Sequence, residues 1–167
     1  MSTGYLQSNF ERVRALADFQ FFRGAGMCLF PDACTFIYSR RGGVRQVLLD
    51  NHRLATLRAH DGRLTLGLAG CKRLYEVTAA PPFQGTEFRV MVQQDVAAFI
   101  ADGKNVFAKH VVFCDPSLLA GDEVIVVDEA GAFLGVGMAH ICGCEMRAFM
   151  YGAAVQMRRG INQEDIS

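Results

Sequence analysis

Apolar residues near the N-terminus recur at Phe10, Val13, Leu16 and Ala17, the three-and-four spacing of one helical face. Ser8 and Glu11 stand at capping-box spacing, so the pattern predicts a short helix over residues 8–18. The next stretch, FFRGAGMCLFPD, is rich in glycine, contains Pro31, and reads as a loop. From Cys34 the periodicity changes. CTFIYSR, VRQVLLD, RLATLRAH and RLTL are short β-rich runs, separated by turn signals at RGG, NH and Asp61-Gly62. They predict a four-stranded antiparallel meander. LAGCKRLYEVTA then returns to helical spacing, with Leu68, Cys71, Leu74 and Tyr75 on one side.

The prolines and glycine of APPFQGTE mark a boundary, which divides the chain into an N-terminal α+β domain over 1–84 and a second domain over 85–167. In the second, FRVMV predicts a strand and DVAAFIADG a helix, capped by Asp95 and ended by Gly103. NVFAKHVVF reads as one strand and DPSLLAGDE as a loop. VIVVD and AFLGVGMAHIC are strands joined by the tight turn EAG, EMRAFMYG is a helical turn, and AAVQMRRGI is a last strand. The fold class is α+β: a small antiparallel sheet with helices, followed by a mostly β domain that could close as a small barrel.

Composition changes this picture little. Of 167 residues 51% are hydrophobic and 20% charged, enough apolar material for a packed core. No apolar run approaches the ~20 residues that span a bilayer, and MSTGYLQSNFERVRALAD has no signal-like apolar core. No membrane partner and a cytoplasmic location are therefore expected. The six cysteines sit in apolar settings and are expected to be reduced core thiols. Charge is more telling. The net charge is zero, yet residues 1–80 hold 11 Lys+Arg against 6 Asp+Glu, and residues 81–167 hold 6 against 11. Opposed halves of +5 and −5 can still present one basic face, or can simply attract each other.

Motifs for catalysis are missing. The chain has no G-x-S-x-G, no H-E-x-x-H and no Walker loop, and the GAG at 24–26 follows no strand. HICGC, His140 to Cys144, offers zinc-type ligands, but a closed site needs four and no second pair stands at matching spacing, so no metal and no cofactor are expected. His110 reads as a satisfied core or rim histidine, and Asp61, Asp122 and Glu123 as turn residues. DGKNVFAKHV, Asp102 to Val111, is different. A glycine after a helix lets backbone come close, and exposed N–H groups beside Lys104 and Lys109 suit phosphates. The last strand ends in Arg158-Arg159-Gly160, and in a small barrel the two basic elements would converge. Ordinary solvated charges remain the alternative.

The run DGKNVFAKHVVFCDPSLLAGDEVIVVDEAGAFLGVGMA, followed by EM, GAAV and RRGI, resembles the PUA domain, a small RNA-binding pseudobarrel, over about residues 88–161. With GAG, LFPD, SRRGGVRQV and DGRLTLGLAGCKRL before it, residues 16–161 are similar to the C-terminal region of the archaeal tRNA-guanine transglycosylases that begin archaeosine synthesis. The resemblance implies a C2-like first domain and a PUA second domain. It implies that Gly103, Lys104, Asn105, Val106, Phe107 and Lys109, with Arg158, Arg159 and Gly160, hold tRNA near its acceptor end, through backbone rather than base edges. Arg40, Arg41 and Arg45 are a possible secondary contact. The family's catalytic barrel and its zinc ligands have no counterpart here. The expected function is thus tRNA binding without catalysis, as a subunit or paralogue that works with a separate catalytic chain. A standalone PUA protein acting on rRNA, a protein-interaction module, and a small enzyme using Cys142 and Cys144 are the alternatives.

Overall fold

A computed structural model describes residues 3–163, which fall into two compact units, one up to Leu74 and one from Tyr75 on. The first contains α1 (Thr3–Gln20), α2 (Ala25–Leu29), four strands, and most of α3 (Leu68–Thr78). The strands β1 (Thr35–Tyr38), β2 (Val44–Leu49), β3 (His52–Leu57) and β4 (Leu64–Leu66) pair in sequence order, all antiparallel, which is the predicted meander. Leu49 faces His52, so the β2–β3 turn is the pair Asp50-Asn51, both at positive φ. These residue types tolerate that conformation, and such turns match strand twist. Phe10, Val13 and Ala17 of α1 are buried, as their spacing predicts, with Leu54, Leu64 and Leu66 of the sheet.

Two readings of this unit need correction. The first helix begins at Thr3, so Ser8 and Glu11 lie in its interior and form no cap. Leu6 and Gln7 are good helix formers and no proline stands upstream of Ser8, so the helix runs through the cap-like spacing. The glycine-rich stretch is not all loop, because Ala25–Leu29 is helical. Gly26 is there for packing. A Cβ at Gly26 would run into the backbone of Arg14 on α1, so the residue that suggested a loop is where two helices meet. The Gly26 N–H donates to Asp18 Oδ1 (2.7 Å), and Arg14 donates through Nε and Nη2 to the Phe30 carbonyl (2.9 and 2.6 Å).

The second unit holds β5 (Arg89–Val92), α4 (Ala97–Ala101), β6 (Val106–Phe107), β7 (Val111–Cys114), β8 (Glu123–Val127), β9 (Phe133–Ala139), α5 (Gly143–Met146) and β10 (Ala153–Gly160). Its sheet has the order β6-β10-β9-β8-β5-β7, with β5 and β8 parallel and the other pairs antiparallel. The two edge strands, β6 and β7, are joined through a single 3-10 turn at Ala108–His110, so the sheet is almost closed on itself. This is a pseudobarrel with its core formed by residues such as Val90, Ile100, Val124, Val126, Leu134 and Val155. All five residues of β8 are buried, which explains its unbroken apolar reading.

The closure also explains why NVFAKHVVF is not one strand. It pairs with β10 at its start and with β5 at its end, and no straight strand serves both edges. His110 marks the crossing: the Gln93 N–H donates to its carbonyl (3.0 Å), and its Nδ1 lies 3.0 Å from Gln93 Oε1. Asp95 is not a cap. It lies inside a 3-10 turn at Gln94–Val96 ahead of α4, and no side chain caps either element. The strand β9 ends at Ala139, so HICGC leaves the sheet, with His140 and Cys144 exposed and Cys142 at the entry to α5.

Candidate nucleic-acid interface

The segment 102–109 begins where α4 ends. The Gly103 N–H donates to the Ile100 carbonyl (2.9 Å) and the Lys104 N–H to the Phe99 carbonyl (3.0 Å), with Gly103 at φ 92°. This is a Schellman C-cap, in which a left-handed residue satisfies the last helical carbonyls. A Cβ at Gly103 would also strike the side chain of Gln163, so the close approach Gly103 permits here is to the chain's own Gln163.

The turn is then tied to the end of β10. Asn105 Oδ1 accepts from the Met157 N–H (2.9 Å), Asn162 Nδ2 donates to Asp102 Oδ1 (2.8 Å), and the Asn162 N–H donates to the Ala101 carbonyl (2.9 Å). The Gly160 N–H donates to Gln163 Oε1 (2.9 Å). Gly160 is buried, and a Cβ there would meet the Ala101 carbonyl, so this glycine brings strand and helix end together. The two basic elements of the sequence do converge. Asn162 and Gln163, which lock them, were not anticipated; the only signal was a pair of amides directly after Ile161.

The charges divide into two kinds. Lys104 and Lys109 are exposed and Arg159 is half-buried, and among the described residues none of the three is paired with a carboxylate. Arg158 differs. Met157 faces Gly137 and Arg159 faces Val136, so Arg158 is the extra residue of a β-bulge. It donates through Nη1 and Nη2 to both oxygens of the buried Glu123 (2.6 and 2.9 Å). Glu123, read as a turn residue, is thus half of an internal ion pair at the start of β8. Val106 is fully buried, leaving Phe107, half exposed, as the apolar surface of β6.

In the first unit, Arg40 and Arg41 are exposed in the β1–β2 turn and Arg45 is exposed on β2. Arg45 lines a cleft of about 450 Å³ with Arg12, Arg58 and His60. Arg58 is held by Asp61 (Nη2–Oδ2 2.7 Å). Desolvation alone would raise the Asp61 carboxyl, but the Arg63 N–H and the Arg58 guanidinium outweigh it and hold the group below the usual carboxylate range. Burial pushes the thiols of Cys34 and Cys114 above the ordinary cysteine value, the latter donating to the Gly143 carbonyl (2.8 Å). Among the described residues no three His, Cys, Asp or Glu side chains are grouped to hold a metal ion, and no helix is long and apolar enough to cross a membrane.

Comparison with known proteins follows this division of the chain. Residues 11–81 match the patch-forming domain C2 of tRNA-guanine transglycosylase, and residues 88–161 match the PUA domain. The chain is 43% identical over 150 residues to a tRNA-guanine(15) transglycosylase of Pyrococcus abyssi, a match covering 90% of this chain and 24% of that protein. It therefore spans about a quarter of the length of the curated relatives it matches, and corresponds to their C-terminal region. Among solved structures, a hypothetical protein of Pyrococcus horikoshii OT3 superposes with a TM-score of 0.70 at 19% identity, over 95% of this chain and 93% of that one. A PUA domain from Aeropyrum pernix K1 does so with a TM-score of 0.61 at 19% identity, over 98% and 85%. At that identity these two speak for the fold alone.

Proposed function

This chain belongs, domain by domain, to the transglycosylase C2 and PUA families, and on that premise we propose that it binds tRNA and does not itself exchange a base. The joint between the domains is taken at 84/85. The identity of 43% across both domains to a tRNA-guanine(15) transglycosylase carries the reading. The surface chemistry supports it: Lys104, Lys109 and Arg159 have no carboxylate partner among the described residues, on a half of the chain whose net charge is negative. Such cations neutralise phosphates without reading sequence. The contact surface is assigned to Lys104, Asn105, Phe107, Lys109 and Arg159, with Val106 contributing backbone only, Arg158 acting through the bulge it anchors, and Gly103 and Gly160 acting by letting the turn after α4 and the end of β10 pack together. Arg40, Arg41 and Arg45 form a secondary contact. The bound region is the acceptor end of the tRNA, the setting is cytoplasmic, and base exchange for archaeosine is supplied by a separate catalytic chain.

The test is direct. The purified chain is assayed for tRNA binding and for guanine exchange into tRNA, alone and with a barrel-type transglycosylase chain added. The expected result is binding alone and exchange only in the mixture. Exchange by this chain alone, or no affinity for tRNA, would overturn the proposal.

A further inference from the structure

The four strands of the first unit run antiparallel in sequence order, so the β1–β2 and β3–β4 turns lie at one end of the sheet. Backbone closes both turns. The Ser39 N–H donates to the Gly43 carbonyl (2.8 Å) in the first. In the second, the Arg58 N–H donates to the Arg63 carbonyl and the Gly62 N–H to the Arg58 carbonyl (both 2.9 Å). Residues of these turns, of the strands beside them and of α1 line one cleft of about 450 Å³, which includes Arg12, Ser39, Arg45, Thr56, Arg58 and His60. That size is within the range of small-ligand sites, ~300–1,000 Å³.

No carboxylate lines the cleft. Arg58 is paired with Asp61, as Arg14 is with Asp32, but Arg12 and Arg45 are exposed and have no carboxylate partner among the described residues. Three guanidiniums against the one Asp61 carboxylate leave +2 before His60 is counted. Like charges held together repel, and an anion placed among them removes that repulsion. The N–H groups of Ala59 and His60, both exposed, also have no hydrogen-bond partner among the described residues and add neutral donors. Charge then selects the anion. A phosphodiester or a carboxylate carries one negative charge and would leave an arginine unmatched. A phosphomonoester carries about −2 and presents three acceptor oxygens, which guanidinium forks take in pairs. Val44 and Leu57 give the cleft an apolar wall for the group that bears the phosphate. We propose that the cleft binds a phosphomonoester, with Arg12 and Arg45 on the phosphate beside an Arg58 fixed by Asp61. A free nucleotide and the 5′ end of an RNA both present that group. The proposal goes beyond the RNA-binding reading above, since a free nucleotide tests it without any RNA.

The test uses the full chain, with adenosine 5′-monophosphate and adenosine as free probes, and one short RNA bearing either a 5′-phosphate or a 5′-hydroxyl. Calorimetric titration reads the affinities. The phosphorylated member of at least one pair should bind more tightly by roughly tenfold. Arg12→Ala and Arg45→Ala should each remove most of that preference. Arg23→Ala, which deletes an equal charge at an exposed position of the same unit outside the cleft, should keep it. Both cleft arginines are exposed, so a circular dichroism melt should show parent-like unfolding. A preference within the nucleotide pair alone identifies a free ligand, and one within the RNA pair identifies an RNA end. No preference in either pair would overturn the site, as would a preference that survives Arg12→Ala and Arg45→Ala or falls equally in Arg23→Ala. A chain that takes the monophosphate but no RNA keeps the cleft and sinks the RNA-binding reading. A chain that binds RNA whatever its 5′ group, and takes no monophosphate, does the reverse.

Discussion

Arg158 and Arg159 are neighbours in sequence and opposites in environment. The bulge in β10 turns Arg158 onto Glu123, whose side chain is 2% exposed, while Arg159 has no carboxylate partner among the described residues. Removing one member of a buried ion pair leaves a poorly solvated charge, so Arg158→Ala should destabilise the chain by roughly 3 kcal/mol. Arg159→Ala should stay within about 0.5 kcal/mol. Chemical denaturation of the two variants checks this, and equal midpoints would contradict it. No spacing rule announces a bulge, which is why the sequence reads the two arginines as one motif. Gly103 was legible, since a glycine just past a helix signals a left-handed cap; that Gln163 lies against it was not, because that contact is made across 60 residues. The cysteines give a second residue-scale prediction. Burial raises the thiols of Cys34 and Cys114, so they stay protonated and unreactive at neutral pH. A thiol reagent on the native chain should label the exposed Cys144 first. Cys34 and Cys114 should react only on unfolding, even as the pH approaches the ordinary thiol value. Peptide mapping after labelling reads the order, and early modification of Cys114 would contradict it.

Elements were legible where one edge or one face defines them. The meander β1–β4 follows from alternating runs and turn residues, and α3 from its apolar spacing. They were illegible where a segment serves two partners, as in the break of NVFAKHVVF between β10 and β5, or where a glycine marks helix contact instead of a turn, as at Gly26. Arg89 shows a third kind of hidden role. It is 4% exposed, and donates to Thr78 Oγ1 (2.8 Å), the Glu87 carbonyl (2.9 Å) and the Tyr75 carbonyl (2.9 Å), with its guanidinium 5.0 Å from the Tyr75 ring centre. A cation at the C-terminal end of α3 serves both the helix dipole and carbonyls without intrahelical partners. Arg89→Ala should cost about 2–4 kcal/mol in stability, through lost charge-assisted hydrogen bonds and stranded buried acceptors. Arg89→Lys should recover little of it, because an ammonium lacks the planar fork. Thermal and denaturant unfolding of both variants test this; a parent-like Arg89→Lys would count against the fork geometry.

At the scale of the whole chain, the net charge is zero, so affinity for RNA depends on where the charges stand and not on their sum. If Lys104, Lys109 and Arg159 each neutralise one phosphate, the logarithm of the tRNA binding constant should fall against log salt with a slope of roughly −2 to −3. The most direct measurement is that slope for the parent, Lys104→Ala, Arg159→Ala and Arg41→Ala, each with the same tRNA. Lys104→Ala and Arg159→Ala should each weaken binding of all tRNA sequences alike and make the slope shallower by roughly one, while Arg41→Ala changes it less. If instead the first two bind with the parent's affinity and slope while Arg41→Ala loses binding, the contact surface lies in the first unit and the assignment to the β6–β10 edge is wrong.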